Sequence, residues 1–166
     1  DVTEKRKAEE ALRDSEELYR KLLTSVPDII IRTDLEGNIL FANDVAVRSG
    51  GFVSGTDLSG RNIYSFVAAE DLENARTGAK LMLDKHIAPM ECHLVLNGGK
   101  RILYEINGAV LRNPDQTPYG MVFLGRDVTE RKQAETDLHQ SVKKLRATLK
   151  AAIDSLASAI EMRDPY

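Results

Sequence analysis

Residues 27–44 read PDIIIRTDLEGNILFAND. Pro27 lacks an amide donor and disfavours a helical Val26, so a helix running up to it must end there. DIIIRTD (28–34) is short and β-branched, LEGN (35–38) carries turn residues, and Ile39–Ala42 is a second short apolar run. Two such runs across a tight turn predict a β-hairpin. Asn43 is then placed to cap a short helix through Arg48, which Gly50-Gly51 ends.

Upstream of Pro27, residues 3–25 read as a helix with Thr3 as N-cap and Asp1 with Glu4 as a capping-box pair. Ala8, Leu12, Ser15, Tyr19, Leu22 and Val26 recur at steps of four and three, the stripe of a packed or coiled-coil-like helix. Downstream, residues 52–67 are broken by Gly55 and Gly60 and anchored by Ile63, Phe66 and Val67. Glu70–Lys85 is a better helix, with Leu72, Ala75, Ala79, Met82 and Leu83 near helical spacing. Three longer strands follow at 88–97, 101–112 and 119–126, separated by the turn Asn97–Lys100 and the loop 113–118. In the first of them Met90, Cys92, Leu94 and Leu96 point one way, and Glu91, His93 and Val95 the other. Strands grouped apart from helices predict an α+β fold, and the tight turns make its sheet antiparallel.

From Thr129 to about Arg163 the chain holds no Gly or Pro and reads as one helix. Leu138, Val142, Leu145, Leu149, Ala152, Leu156 and Ala159 follow alternating steps of four and three, and Ile153 and Ile160 broaden the stripe. That is a heptad seam. A long helix with one apolar stripe needs a partner, and a second copy of the chain is the simplest one. The expected dimer seam is Leu138, Val142, Leu145, Leu149 and Leu156.

One phrase occurs twice. DVTEKRKAEEAL (1–12) and DVTERKQAETDL (127–138) share seven of twelve positions at an offset of 126 residues. A self-match at that distance predicts one whole unit preceded by the tail of a similar one, within a longer modular protein. The expected division is an N-terminal signalling helix at 1–26, a domain at 27–128 and an exit helix at 129–166. The net charge of −3, with both signs interspersed, argues against a nucleic-acid surface. No apolar run approaches the roughly 18–20 residues of a membrane span, and residues 1–12 are too charged for a signal peptide. Cys92 is the only cysteine, so no disulfide forms within the chain. A cytoplasmic location is expected.

This order of elements, bracketed by DVT phrases, resembles the PAS family of sensor modules. The matching stretches are PDIIIRTDLEGNILFAND (27–44), AAEDLENAR (68–76) and YGMVFLGRDVTERK (119–132). The resemblance implies five antiparallel strands curved around a small cavity, helices over one face, and flanking helices that dimerise. It also implies that Asp127-Val128-Thr129 marks the joint between the last strand and the exit helix. Asp127 or Thr129 is expected to cap that helix and to couple the sheet to it. A second resemblance lies in LASAIEMRDPY (156–166), which is similar to the first helix of HD-GYP cyclic-di-GMP phosphodiesterases. It bears on the parent protein, since none of that family's metal ligands occurs in the phrase.

Candidate chemistry is sparse. His86, His93 and His139 are the imidazoles available to a haem, but His86 fits an ordinary helix terminus and His93 has the strand parity opposite to Met90 and Cys92. Cys92 lies on a strand, outside the N-C-R-F-L-Q-like helical phrase of flavin photoreceptors, and reads as a small core residue. Glu91, Cys92 and His93 alternate in direction and do not converge on a metal ion. No G-x-S-x-G phrase or phosphate loop is present. No cofactor is therefore expected, with haem and flavin disfavoured. The candidate pocket is Phe41, Phe52, Ile63, Phe66, Met82, Met90, Cys92, Leu94 and Phe123, with Arg126 and Tyr104 as polar groups that orient a ligand. The competing reading of the same residues is a plain packed core.

Together these observations predict a non-enzymatic sensory and dimerisation module in a bacterial-type signal-transduction protein. It would relay a conformational change through the exit helix to a C-terminal output domain. The alternatives are a ligand-free dimerisation spacer and a haem- or flavin-binding sensor.

Overall fold

The stretch that opens with Pro27 forms the expected hairpin, β1 (Ile29–Thr33) and β2 (Ile39–Ala42), in the computed structural model, which describes residues 1–163. The Leu22 side chain and residues 164–166, on which parts of the helical stripe and of the HD-GYP resemblance rest, lie outside the described part. The turn is held by Asp34, whose carboxylate accepts from the Asn38 amide and the Asn38 side chain, both at 2.7 Å. Gly37 takes φ +89° there, a conformation L side chains avoid.

Asn43 caps α2 (Asp44–Ser49) through the Ala46 amide at 3.0 Å. Two short 3₁₀ turns, Gly55–Asp57 and Ile63–Phe66, carry the chain to α3 (Leu72–Met82). Then come β3 (Met90–Val95), β4 (Arg101–Arg112) and β5 (Pro118–Asp127). All pairings are antiparallel, in the order β2-β1-β5-β4-β3. The first and last strands are thus neighbours at the centre of the sheet, so the chain enters and leaves the domain side by side. Buried side chains gather on the sheet face toward α2 and α3, among them Ile39, Leu58, Met82, Cys92, Leu94 and Met121. Each stabilises the fold by about 1.5–3 kcal/mol when fully buried.

The chain divides into two compact units between Asp127 and Val128. The first also contains α1 (Val2–Ser25). Asp1, not Thr3, is its N-cap: the Asp1 carboxylate accepts from the Thr3 amide at 3.2 Å, so Thr3 is already inside the helix. The second unit is α4 (Thr129–Glu161). Its N-cap position is held by Val128, between the two polar residues expected to cap it. Asp71, at the start of α3, likewise turns its carboxylate away from its own helix, toward β3.

Candidate functional site

A cavity of about 100 Å³ lies between the concave sheet face, α2, the 52–67 segment and α3. Each element contributes by its own periodicity. On β4, Tyr104, Ile106 and Gly108 alternate inward; on β5, Phe123 and Gly125 do; on α3, Ala75, Ala79 and Met82 recur at helical spacing. Eight of the nine pocket residues expected from sequence meet here: Phe52, Ile63, Phe66, Met82, Met90, Cys92, Leu94 and Phe123. The Phe52 and Phe66 rings pack edge to face at 5.8 Å.

Phe41 does not join them. The β1–β2 register runs Ile31↔Ala42, Arg32↔Phe41 and then Thr33↔Ile39, so Leu40 is the extra residue of a β-bulge. A one-residue slip exchanges the faces of a strand, and Phe41 is turned outward, 41% exposed. Arg126 is also not a cavity group. Its guanidinium forks onto the buried Asp28 carboxylate, Nε to Oδ1 at 3.1 Å and Nη2 to Oδ2 at 2.8 Å. That pair fastens the start of β1 to the end of β5.

The lining is almost wholly apolar. Ser49, Tyr64, Cys92 and Tyr104 are its polar side chains, and no charged side chain contributes. Burial pushes the Cys92 thiol up to about 11, with the Asp71 charge adding to the effect, so it is a neutral thiol at neutral pH. Burial also raises the Tyr104 phenol, against an opposing pull from the Ser49 side chain. The Tyr64 phenol is raised by burial as well, against the opposing pull of Arg76, whose guanidinium sits 4.7 Å from the ring centre.

The wall formed by α3 is anchored at its N-terminal end. The Asp71 carboxylate accepts from the His93 amide at 2.8 Å and meets the His93 ring Nδ1 at 2.8 Å, while Glu70 pairs with Arg101. The His93 ring is thereby committed to Asp71 on the side of β3 away from the cavity. His86 is exposed and outside the lining, and His139 is an exposed residue of α4. Among the described residues no group of three or more His, Cys, Asp or Glu is placed to hold a metal ion.

The His93 amide, followed by the His93 ring, holds the Asp71 carboxyl below its ordinary value. A lowered carboxylate pKa contributes stability that is complete above the unfolded value of roughly 4 and lost as pH falls through the lower folded value. Asp71→Asn is therefore expected to flatten the fall in urea midpoint between about pH 5 and pH 2. An acid limb as steep as the parent's would show that the pair is not coupled to folding.

The sequence left most of this wall unassigned. The inward set on β4 was not separable because its strand alternates apolar residues on both faces. On α3 the sequence assigned Met82 to the pocket, whereas Ala75 and Ala79 were legible only as a helix face.

A five-stranded antiparallel sheet in this order, closed over an apolar cavity by short helices, defines an α+β sensor-type domain. The PAS fold family matches residues 23–133, and the chain belongs to it. Along nearly its whole length the chain is also similar to the sensor protein kinase WalK of Staphylococcus haemolyticus (strain JCSC1435), at 26% identity over 160 residues and 94% of this chain. It spans about a quarter of that relative's length. Among solved structures it resembles the PAS domain of an HTR-like protein from Haloarcula marismortui, with a TM-score of 0.61 and 18% identity, covering 74% of this chain and 98% of that one. It also resembles the PAS domain of a protein from Colwellia psychrerythraea, with a TM-score of 0.63 and 19% identity, covering 69% and 97%. No described helix is long and apolar enough to cross a membrane.

Proposed function

We propose that this chain is a cytoplasmic sensory and dimerisation module that relays the state of its cavity, through α4, to a C-terminal output domain. One observation carries the reading: Phe123 and Gly125 line the cavity on β5, the strand that continues through Val128 into α4. A ligand that favours one geometry of β5 shifts the population of exit-helix arrangements by its differential affinity for the two. The Asp28–Arg126 fork, two residues before Val128, holds the strand end that must transmit the shift. Residues 1–26 and 129–166 then act as signalling helices on either side of the domain at 27–128.

Dimerisation is supported by the seam on α4. Leu138, Leu145, Leu149 and Leu156 are each more than half exposed in the single chain, with Val142 in the same row. The output is a signalling enzyme in this reading. The sensor kinase relative supports a kinase, whereas the LASAIEMRDPY phrase supports an HD-GYP phosphodiesterase. A second reading, a dimerisation spacer without a ligand, draws on the modest size of the cavity.

Replacing Asp127 and Thr129 together with alanine in the full-length protein tests the relay. Both residues are exposed on either side of Val128, and neither caps α4 with its side chain, so the domain stays folded. Output activity is expected to lose its response to stimulus. Regulation that survives the double change, in a folded protein, refutes the relay.

A further inference from the structure

We infer that the cavity selects a small neutral guest with one hydrogen-bonding end, of the short-chain alcohol or ketone class; this rests on the sensing reading above. Charge is excluded first. No charged side chain reaches the lining and the Cys92 thiol is neutral, so a bound carboxylate or ammonium would be desolvated with nothing to pair it. Size is excluded next. Sites for drug-sized ligands run about 300–1,000 Å³, and an engineered cavity of about 150 Å³ in another protein holds one benzene. The space of about 100 Å³ here suits a guest of only a few non-hydrogen atoms.

The polar end meets the hydroxyls of the lining, of which Tyr104 is the most deeply buried. Tyr104 is 3% exposed and Ser49 is exposed, and both line the cavity. Met82 and Met90 face a guest's apolar body, and their unbranched side chains adapt to its shape. Two glycines let the walls close in. A side chain at Gly125 would lie 2.6 Å from Ile29, and one at Gly108 would lie 2.7 Å from the Met82 sulfur.

Three probes test this on the purified chain, read by the methyl resonances of Met82 and Met90: n-butanol, butyrate and xenon. Saturable shifts are expected with n-butanol and xenon, and with butyrate at least about tenfold weaker affinity, because its charge must be buried unpaired. Tyr104→Phe is expected to weaken n-butanol by roughly threefold to tenfold and to leave xenon unchanged, since only the alcohol loses a hydrogen bond. Butyrate binding as tightly as n-butanol, or n-butanol indifferent to Tyr104→Phe, overturns the guest class while leaving the cavity as a ligand site. Methyls that ignore all three probes, xenon included, overturn the ligand site itself and favour the spacer.

Discussion

Replacing Asn43 with leucine is expected to leave the domain largely unfolded at room temperature. Asn43 is 5% exposed, and its side chain joins three pieces of backbone. Its carbonyl oxygen accepts from the Ile30 and Ala46 amides at 3.0 Å each, and its amide donates to the Asp28 carbonyl at 3.0 Å. The first and last of these continue the β1–β2 ladder past the end of β2; the second starts α2, which forms one wall of the cavity. Leucine strands two buried donors and an acceptor, each at about 1–3 kcal/mol. Small domains hold about 5–15 kcal/mol in total, so the loss consumes much of it. Asn43→Ser, which keeps an oxygen for the helix cap, is expected to lose less. Thermal denaturation followed by circular dichroism checks both. A leucine variant that melts within a few degrees of the parent would show that the clip is dispensable.

Replacing Leu145 and Leu149 together with glutamate is expected to raise the dimer dissociation constant by at least about a thousandfold. In the single chain these side chains are 60% and 54% exposed, one helical turn apart on α4. In a symmetric dimer each change is made twice, so four buried leucines are lost at about 1.5–3 kcal/mol each and four carboxylates are brought together. Ala147→Glu with Ala151→Glu adds the same charge on the opposite side of the helix and is expected to leave the dimer nearly intact. Sedimentation equilibrium of both variants distinguishes loss of the seam from added charge alone. Equal dissociation constants for parent and seam variant would remove α4 as the dimer contact.

What the sequence disclosed was what neighbouring residues decide. The hairpin follows from β-branched runs across LEGN, α2 from Asn43 and Gly50, and β4 from an unbroken apolar strand whose bounds, Arg101–Arg112, fall where the pattern sets them. Part of the cavity was legible for the same reason, since Met90, Cys92 and Leu94 share one strand face. The caps of α1 and α4 were missed by one or two residues, and other failures involve a partner far along the chain. Arg126 looked like a ligand-orienting group because Asp28 is 98 residues away. The helix expected over 70–85 starts only at Leu72, where Glu70 and Asp71 are drawn to Arg101 and His93, and it ends at Met82. Phe41 was misplaced by a bulge at Leu40 that no turn residue announces. A strand's parity is readable from its pattern only while its register is unbroken.

The relay from cavity to exit helix is tested most directly by amide hydrogen exchange of the purified chain beside Ala79→Val. That variant adds volume at a buried cavity position on α3 and so mimics an occupied cavity. In the parent, the middle of α4 is predicted to exchange far more slowly than a solitary helix, because a second copy covers its seam. In the variant, exchange is predicted to change in β5 and in the first turns of α4 together. An α4 that exchanges like an unpartnered helix, or that stays unaltered while β5 responds, would contradict the relay.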